Sequence, residues 1–422
     1  MNLQFFLIEQ NFPDKSGLVN LKQHIIDEME KKGFLFEIKS GMKIGLVVGS
    51  RNITGINEII KILVDLIKAR GAQPIIISAM GSHGGGTAEG QLEVLRKLGI
   101  TVSTVGAPVL ASTDSRCIGH VQGQPVYVNC LAFECDFLIP INRIKPHTSF
   151  KGQVESGLTK MLVVGLGGPK GAEVFHSQRY EKISEMLIEM GSLIIEELPI
   201  LCGIGIVENA YKQIDTAVVC SKRDFIKYDS LLLKRARKLL PSLPFEQLDV
   251  LVVEQMGKCY SGTGMDTNVI GRYGIRGIKD GKPNIKCLVV LDLAEKSAGN
   301  ANGIGLADIT TLKLINKINY HSTLKNALTT TFLDRIKLPA VFENDMIAIQ
   351  TALKVVRKPY EQICLAHIKN TQDIDRFYVS QPLVKEILRN ENLKVLDGPL
   401  SLVFNKKGDF VCFQKTKTLR RF

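Results

Sequence analysis

Ile44-Gly-Leu-Val-Val-Gly49 is followed by apolar residues at 56, 59, 60, 63, 66 and 67, then by Pro74-Ile-Ile-Ile-Ser78 and the loop Gly81-Ser-His-Gly-Gly-Gly-Thr87. The first run is short, apolar throughout and bounded by glycine, the pattern of a strand buried on both faces. The spacing that follows is helical and stops near Gly71; the next run is a second strand. Leu92, Val94, Leu95 and Leu98 then mark a second helix. Strand, helix, strand, loop, helix is the opening of an α/β fold with a parallel sheet. The loop holding His83 therefore leaves the C-terminal end of a strand, where open α/β sheets place their ligands.

Downstream, Phe137-Leu-Ile-Pro-Ile141 reads as a further strand running into Asn-Arg-Ile-Lys-Pro-His147, which puts His147 on a second strand-end loop. A helix over about 179 to 196 and a strand at Gly203-Ile-Gly-Ile-Val207 continue the same domain. A basic helix over about 224 to 240 is broken by Pro241-Ser-Leu-Pro244, and Leu248-Asp-Val-Leu-Val-Val253 starts a new strand. The boundary is expected near 245. This gives an N-terminal domain over 1–245 and a C-terminal α/β domain over 246–379, with the segment from about 380 to 422 packing back on the first. The second half alternates again: a strand at Ile285–Leu291, a Gly/Asn-rich loop at 299–305, a helix near 343–356 and a strand at 362–367.

The 422 residues are 45% hydrophobic and 23% charged, ordinary for a globular chain of this size and too many for one core. Lys and Arg exceed Asp and Glu by 54 to 42, a net +12 that favours anionic small molecules. The charge is scattered: only Lys415-Thr-Lys-Thr-Leu-Arg-Arg421 is compact, and Trp is absent, so no specific nucleic-acid role is expected. Nine cysteines, with no C-x-x-C pair, fit neither a zinc nor a disulfide framework. Together with an N-terminus lacking a secretory pattern and no membrane-length apolar run, they predict a cytoplasmic protein with no membrane partner.

The stretch His147-Thr-Ser-Phe-Lys-Gly-Gln-Val-Glu-Ser-Gly-Leu-Thr-Lys160, followed by His176, carries the chemistry. Histidines trade protons or bind metal near neutral pH, and a lysine amine set beside the apolar Met161-Leu-Val-Val164 is open to acylation when desolvated. Read blandly, His83 is a turn residue and Lys160 a surface lysine. Gly84, Gly85 and Gly86 before a helix let main-chain N–H groups approach an anion. His83, His147 and His176 also offer themselves as three ligands of a divalent ion in a hydrolase. His24, His120, His321 and His367 have no comparable setting, and Gly165-Leu-Gly-Gly-Pro-Lys-Gly171 lacks the glycine spacing of a dinucleotide loop.

Taken together these residues resemble the lactate racemase family, whose members use a nickel-pincer nucleotide. The resemblance implies two α/β domains with the active site in the cleft between them, and racemisation or epimerisation of a 2-hydroxyacid by hydride transfer to the cofactor and back. It implies that His83 and His147 are paired acid/base groups and that Lys160 tethers the cofactor covalently. It further implies that His176, sixteen residues beyond Lys160, ligates nickel, with Arg51 in Gly49-Ser-Arg-Asn-Ile-Thr54, Gly84 and Gly85 serving the cofactor. Proteins that make and load the cofactor are the implied partners, besides the hydroxyacid itself. The chain departs from the family pattern as well. Gly84 stands where an arginine is usual, the aspartate and proline of the Arg51 motif are missing, and the glutamine and lysine expected after Gly264-Met-Asp-Thr-Asn268 are absent. Lys258, Arg272 and Arg276 are the cations left to hold a substrate carboxylate. A diverged, non-catalytic nucleotide- or metabolite-binding protein is the other reading.

Overall fold

A computed structural model describes residues 3–12 and 16–416. The basic cluster at the C-terminus therefore lies outside the described residues from 417 onward. The chain forms two compact α/β units, one made of residues 13–240 and the other of 1–12 with 241–422.

The strands are β1 (Phe5–Gln10), β2 (Lys43–Val48), β3 (Gln73–Ser78), β4 (Val109–Leu110), β5 (Ser115–Val121), β6 (Gln124–Asn129), β7 (Phe137–Arg143), β8 (Cys202–Glu208) and β9 (Ile214–Ser221). They continue as β10 (Gln247–Met256), β11 (Asn284–Leu293), β12 (Ile309–Thr311), β13 (Ala340–Phe342), β14 (Leu365–Ile368), β15 (Arg376–Ser380), β16 (Leu393–Phe404) and β17 (Phe410–Lys415).

In the unit of residues 13–240 the sheet order is β4-β3-β2-β7-β8-β9, parallel except for β9. Alternation along the strands explains why it is covered on both faces. Ile44, Leu46 and Val48 of β2 join Ile76, Ile139 and Ile141 in a core under the helices Leu21–Lys31 and Ile56–Ala69. Val47, Ile75, Ile77 and Leu138 point the other way, into a core with Leu158, Leu162 and Met186. The chain leaves β2 towards β3 on one side and later returns to β7 on the other. The C-terminal ends of β2 and β7 therefore flank a topological switch point, the crevice in which such sheets bind ligands. β5 and β6 form a separate antiparallel hairpin.

The other unit holds a nine-stranded sheet, β13-β12-β11-β10-β14-β15-β1-β16-β17. Five strands are parallel, and β15, β1, β16 and β17 run on as an antiparallel extension. Two expectations are corrected here. The segment from 380 belongs to this unit and not to the N-terminal one; it completes this sheet, because β16 pairs with β1 and buries Leu400 in the same core as Phe5, Val250 and Leu365. The first residues, Phe5–Gln10, belong with it for the same reason. No helix among the described residues is long and apolar enough to cross a membrane.

Candidate active site

Each loop at the switch point contributes a polar side chain. Ser50 and Arg51 follow β2, His83 follows β3, Arg143 ends β7 and Glu208 ends β8. Oγ of Ser50 and Nδ1 of His83 share a hydrogen bond across the neighbouring loops. Arg143 pairs with Glu208, whose other oxygen accepts the Thr54 main-chain N–H at 2.7 Å. The His83 loop is fixed from beneath. Ser78 Oγ donates to Gln91 at 2.7 Å, and the Gln91 amide donates to the Gly81 carbonyl at 3.0 Å, both groups being buried.

Gly84, Gly85 and Gly86 form one tight turn with φ between 64° and 73°, a region costly for residues with a side chain. At Gly84 a Cβ would also lie 2.5 Å from the main chain of Gly90. The glycines thus bring the turn against the helix Ala88–Lys97, which Thr87 caps by accepting the Gly90 N–H at 3.1 Å.

After β7 the chain makes the loop that carries His147. Glu155, fully buried, organises it: one oxygen accepts the His147 N–H at 2.8 Å, the other the Gly152 N–H at 3.1 Å and Arg237 at 2.6 Å. The His147 ring lies 4.3 Å from that of Phe150, and its Nδ1 accepts the Ser149 N–H at 3.1 Å. A second buried carboxylate, Asp229, accepts the N–H groups of Leu158 and Thr159 at 2.9 and 2.8 Å, capping the turn that ends in Lys160. Burial pushes the Asp229 carboxyl up to about 7 against those hydrogen bonds. The close approach requires Gly157, where φ is 98° and a Cβ would sit 2.1 Å from Asp229. Met161–Leu166 continues as a π-helix, an irregularity often found at functional sites.

Lys160 Nζ lies 5.1 Å from the Phe150 ring centre. Burial, reinforced by the charge of Arg51 and opposed by Glu155, lowers its pKa to about 7. His176 ends the helix Gly168–His176; burial, then the charge of Lys160, lowers it to about 4, so its imidazole is neutral at physiological pH. Burial and Arg143 also lower Arg51. Lys160 and His176 nevertheless keep part of their surface accessible, and Arg51 is exposed.

The structure thus links Arg51, Lys160 and His176 electrostatically and sets His83 on the neighbouring loop. It does not make a three-histidine metal centre. Among the described residues no group of three His, Cys, Asp or Glu side chains could hold a metal ion. The rings rest on different neighbours, His83 on Ser50, His147 against Phe150 and His176 against Phe175. Arg272 and Arg276 have structural work in the other unit: Arg272 donates to the Ile285 and Leu306 carbonyls and pairs with Asp308, and Arg276 pairs with Asp334. Half-buried Lys258 donates to Asn326. Sequence reasoning passed over Ser50, Arg143, Glu155, Asp229 and Phe150. All but Asp229 sit inside or beside the motifs quoted above, but nothing in their spacing marks them.

The lactate racemase N-terminal domain family matches residues 9–186, a span holding Arg51, His83, His147, Lys160 and His176. No curated protein matches the chain in sequence. The solved lactate racemase apoprotein from Thermoanaerobacterium thermosaccharolyticum has a similar fold, with a TM-score of 0.55 and 14% identity over 87% of this chain and 98% of that one. Residues 9–186 of the chain thus match the lactate racemase N-terminal domain, and the fold of the chain is similar to that of a lactate racemase.

Proposed function

We propose that the chain racemises or epimerises a 2-hydroxyacid with a nickel-pincer nucleotide held covalently by Lys160. The match of residues 9–186 to the lactate racemase N-terminal domain supports racemase-type chemistry, and the residues present fit the group. An amine titrating near 7 is substantially unprotonated at neutral pH and can form an amide-type bond, and the neutral imidazole of His176 is ready to bind a metal. Arg51 and Arg143 supply the positive field that a nucleotide phosphate needs, and a group bringing its own sulfur donors asks for no cluster of protein ligands. The observation that carries the reading is that His176 lies in the field of Lys160, at the family's spacing from it.

A hydroxyacid Cα–H beside an ionised carboxylate is too weakly acidic for a protein base alone. When bound, the nickel-pincer nucleotide supplies a pyridinium ring able to accept hydride. His83 and His147 then handle the substrate hydroxyl, the proton moving at their ring nitrogens, and the hydroxyacid carboxylate is drawn to the cationic floor around Arg51. The reading also calls for partner proteins that assemble and load the cofactor.

Intact mass and metal analysis test it on protein made in a host that produces the cofactor. A mass adduct with stoichiometric nickel is expected in the wild type and is lost in Lys160→Ala, whereas His176→Ala keeps the adduct and loses nickel. Unmodified, nickel-free wild-type protein from a host that loads a control racemase sinks the proposal in favour of a nucleotide- or metabolite-binding role.

A further inference from the structure

The ends of β2 and β7 bring together two guanidiniums of unequal standing. Arg143, closing β7, pairs with Glu208, whose side chain is only 9% exposed. Arg51, on the loop after β2, has no such acid. Burial first, and then the charge of Arg143, lower it, and no carboxylate among the described residues acts the other way. A guanidinium placed beside another cation without a counter-charge gains most from an anion that a ligand brings.

One carboxylate creates the difference. In the order β2-β7-β8, Glu208 stands beyond β7 from the Arg51 loop, yet it spans the end of β7 to reach it. One oxygen meets Arg143, and the other accepts the N–H of Thr54, three residues past Arg51, at 2.7 Å. The Thr54 hydroxyl donates to the carbonyl of Lys212, in the turn after β8. The Arg51 loop is thus clamped from β8 and its turn, and the carboxylate that clamps it also offsets Arg143. Without that offset, two neighbouring guanidiniums would repel each other and compete for one anion.

We infer that Glu208 is a positioning residue for the site: by holding Arg143 and the Thr54 N–H together, it commits Arg143 and reserves Arg51 as the guanidinium that meets a ligand's anionic group. The inference rests on the reading of the Arg51 floor as an anion site, and names the residue that selects its cation.

Inorganic phosphate, titrated calorimetrically into unloaded protein, tests it apart from whether the nickel group loads. Wild type should bind phosphate, and Arg51→Ala should lose about tenfold or more. Glu208→Gln keeps an acceptor for Thr54 but frees Arg143, and should bind phosphate at least about threefold more tightly. A residue that merely props the fold would give a loss or no change instead. Because an uncompensated Arg143 can weaken folding, the paired variant Arg143→Gln, Glu208→Gln is measured beside it; with both charges gone, affinity should stay within about twofold of wild type. Amide exchange reads the clamp separately: the Thr54 N–H should be protected in wild type and Glu208→Gln and lose protection in Glu208→Ala. The inference is overturned by wild type that binds no phosphate, by Arg51→Ala that binds it as wild type does, or by a paired variant that loses as much as Arg51→Ala. Unchanged Thr54 protection in Glu208→Ala overturns it as well.

Discussion

Lys160 shows how a residue acquires chemistry that its type alone does not give. The family spacing of Lys160 and His176 was legible in the sequence, as was the apolar run after the lysine. What lowers the amine was not: its burial and Arg51 from another loop are brought about by the fold. Because the folded value is lowered, the unprotonated form is scarce below pH 7 and dominant above it. Acylation of Lys160 by a neutral reagent, followed by peptide mass spectrometry, is therefore expected to rise with a midpoint near pH 7, well before ordinary lysines respond. A midpoint above pH 9 would remove the basis for a tether. Linkage has the matching sign. Between about 7 and the usual 10.5 the unfolded chain binds a proton that the folded chain does not, so this group's contribution to stability rises with pH across that window.

At the level of elements, the parallel strands were readable because burial on both faces leaves unbroken apolar runs, as in β2 and β3. The β5–β6 hairpin was not, since Ser115–Val121 is partly exposed along its length and shows no clean alternation. The turn carrying Lys160 escaped for another reason: its cap, Asp229, comes from the distant helix Phe225–Leu239 and not from the preceding residues where caps are sought. Asp229→Ala would strand the buried N–H groups of Leu158 and Thr159, costing about 1–3 kcal/mol for each. Equilibrium denaturation is expected to show a clear loss, and Asp229→Asn, which keeps an acceptor, a smaller one. Thr87→Ala, removing a cap at an exposed helix start, should cost about 1 kcal/mol by the same measurement.

Over the whole molecule, the sequence announced two α/β units and a break at Pro241-Ser-Leu-Pro244, but not that the unit after the break also claims the start of the chain. β1 buries Phe5 and Ile8 between β15 and β16, and a pairing across nearly the full length of the chain leaves no local signature. Removing residues 1–12 is expected to strip amide-exchange protection from β15, β16 and β17 while leaving the β2–β3–β7 sheet protected. Equal loss in both sheets would contradict the division into units. The same arrangement has a consequence on the ribosome. The strand made among the first has its two neighbours made among the last, so at ordinary synthesis rates β1 waits on the order of twenty seconds to a minute, apolar and without its partners, while residues 13–240 are completed. A nascent chain stalled before residue 376 should then expose β1 to chaperones that bind apolar segments, and one released past β16 should not.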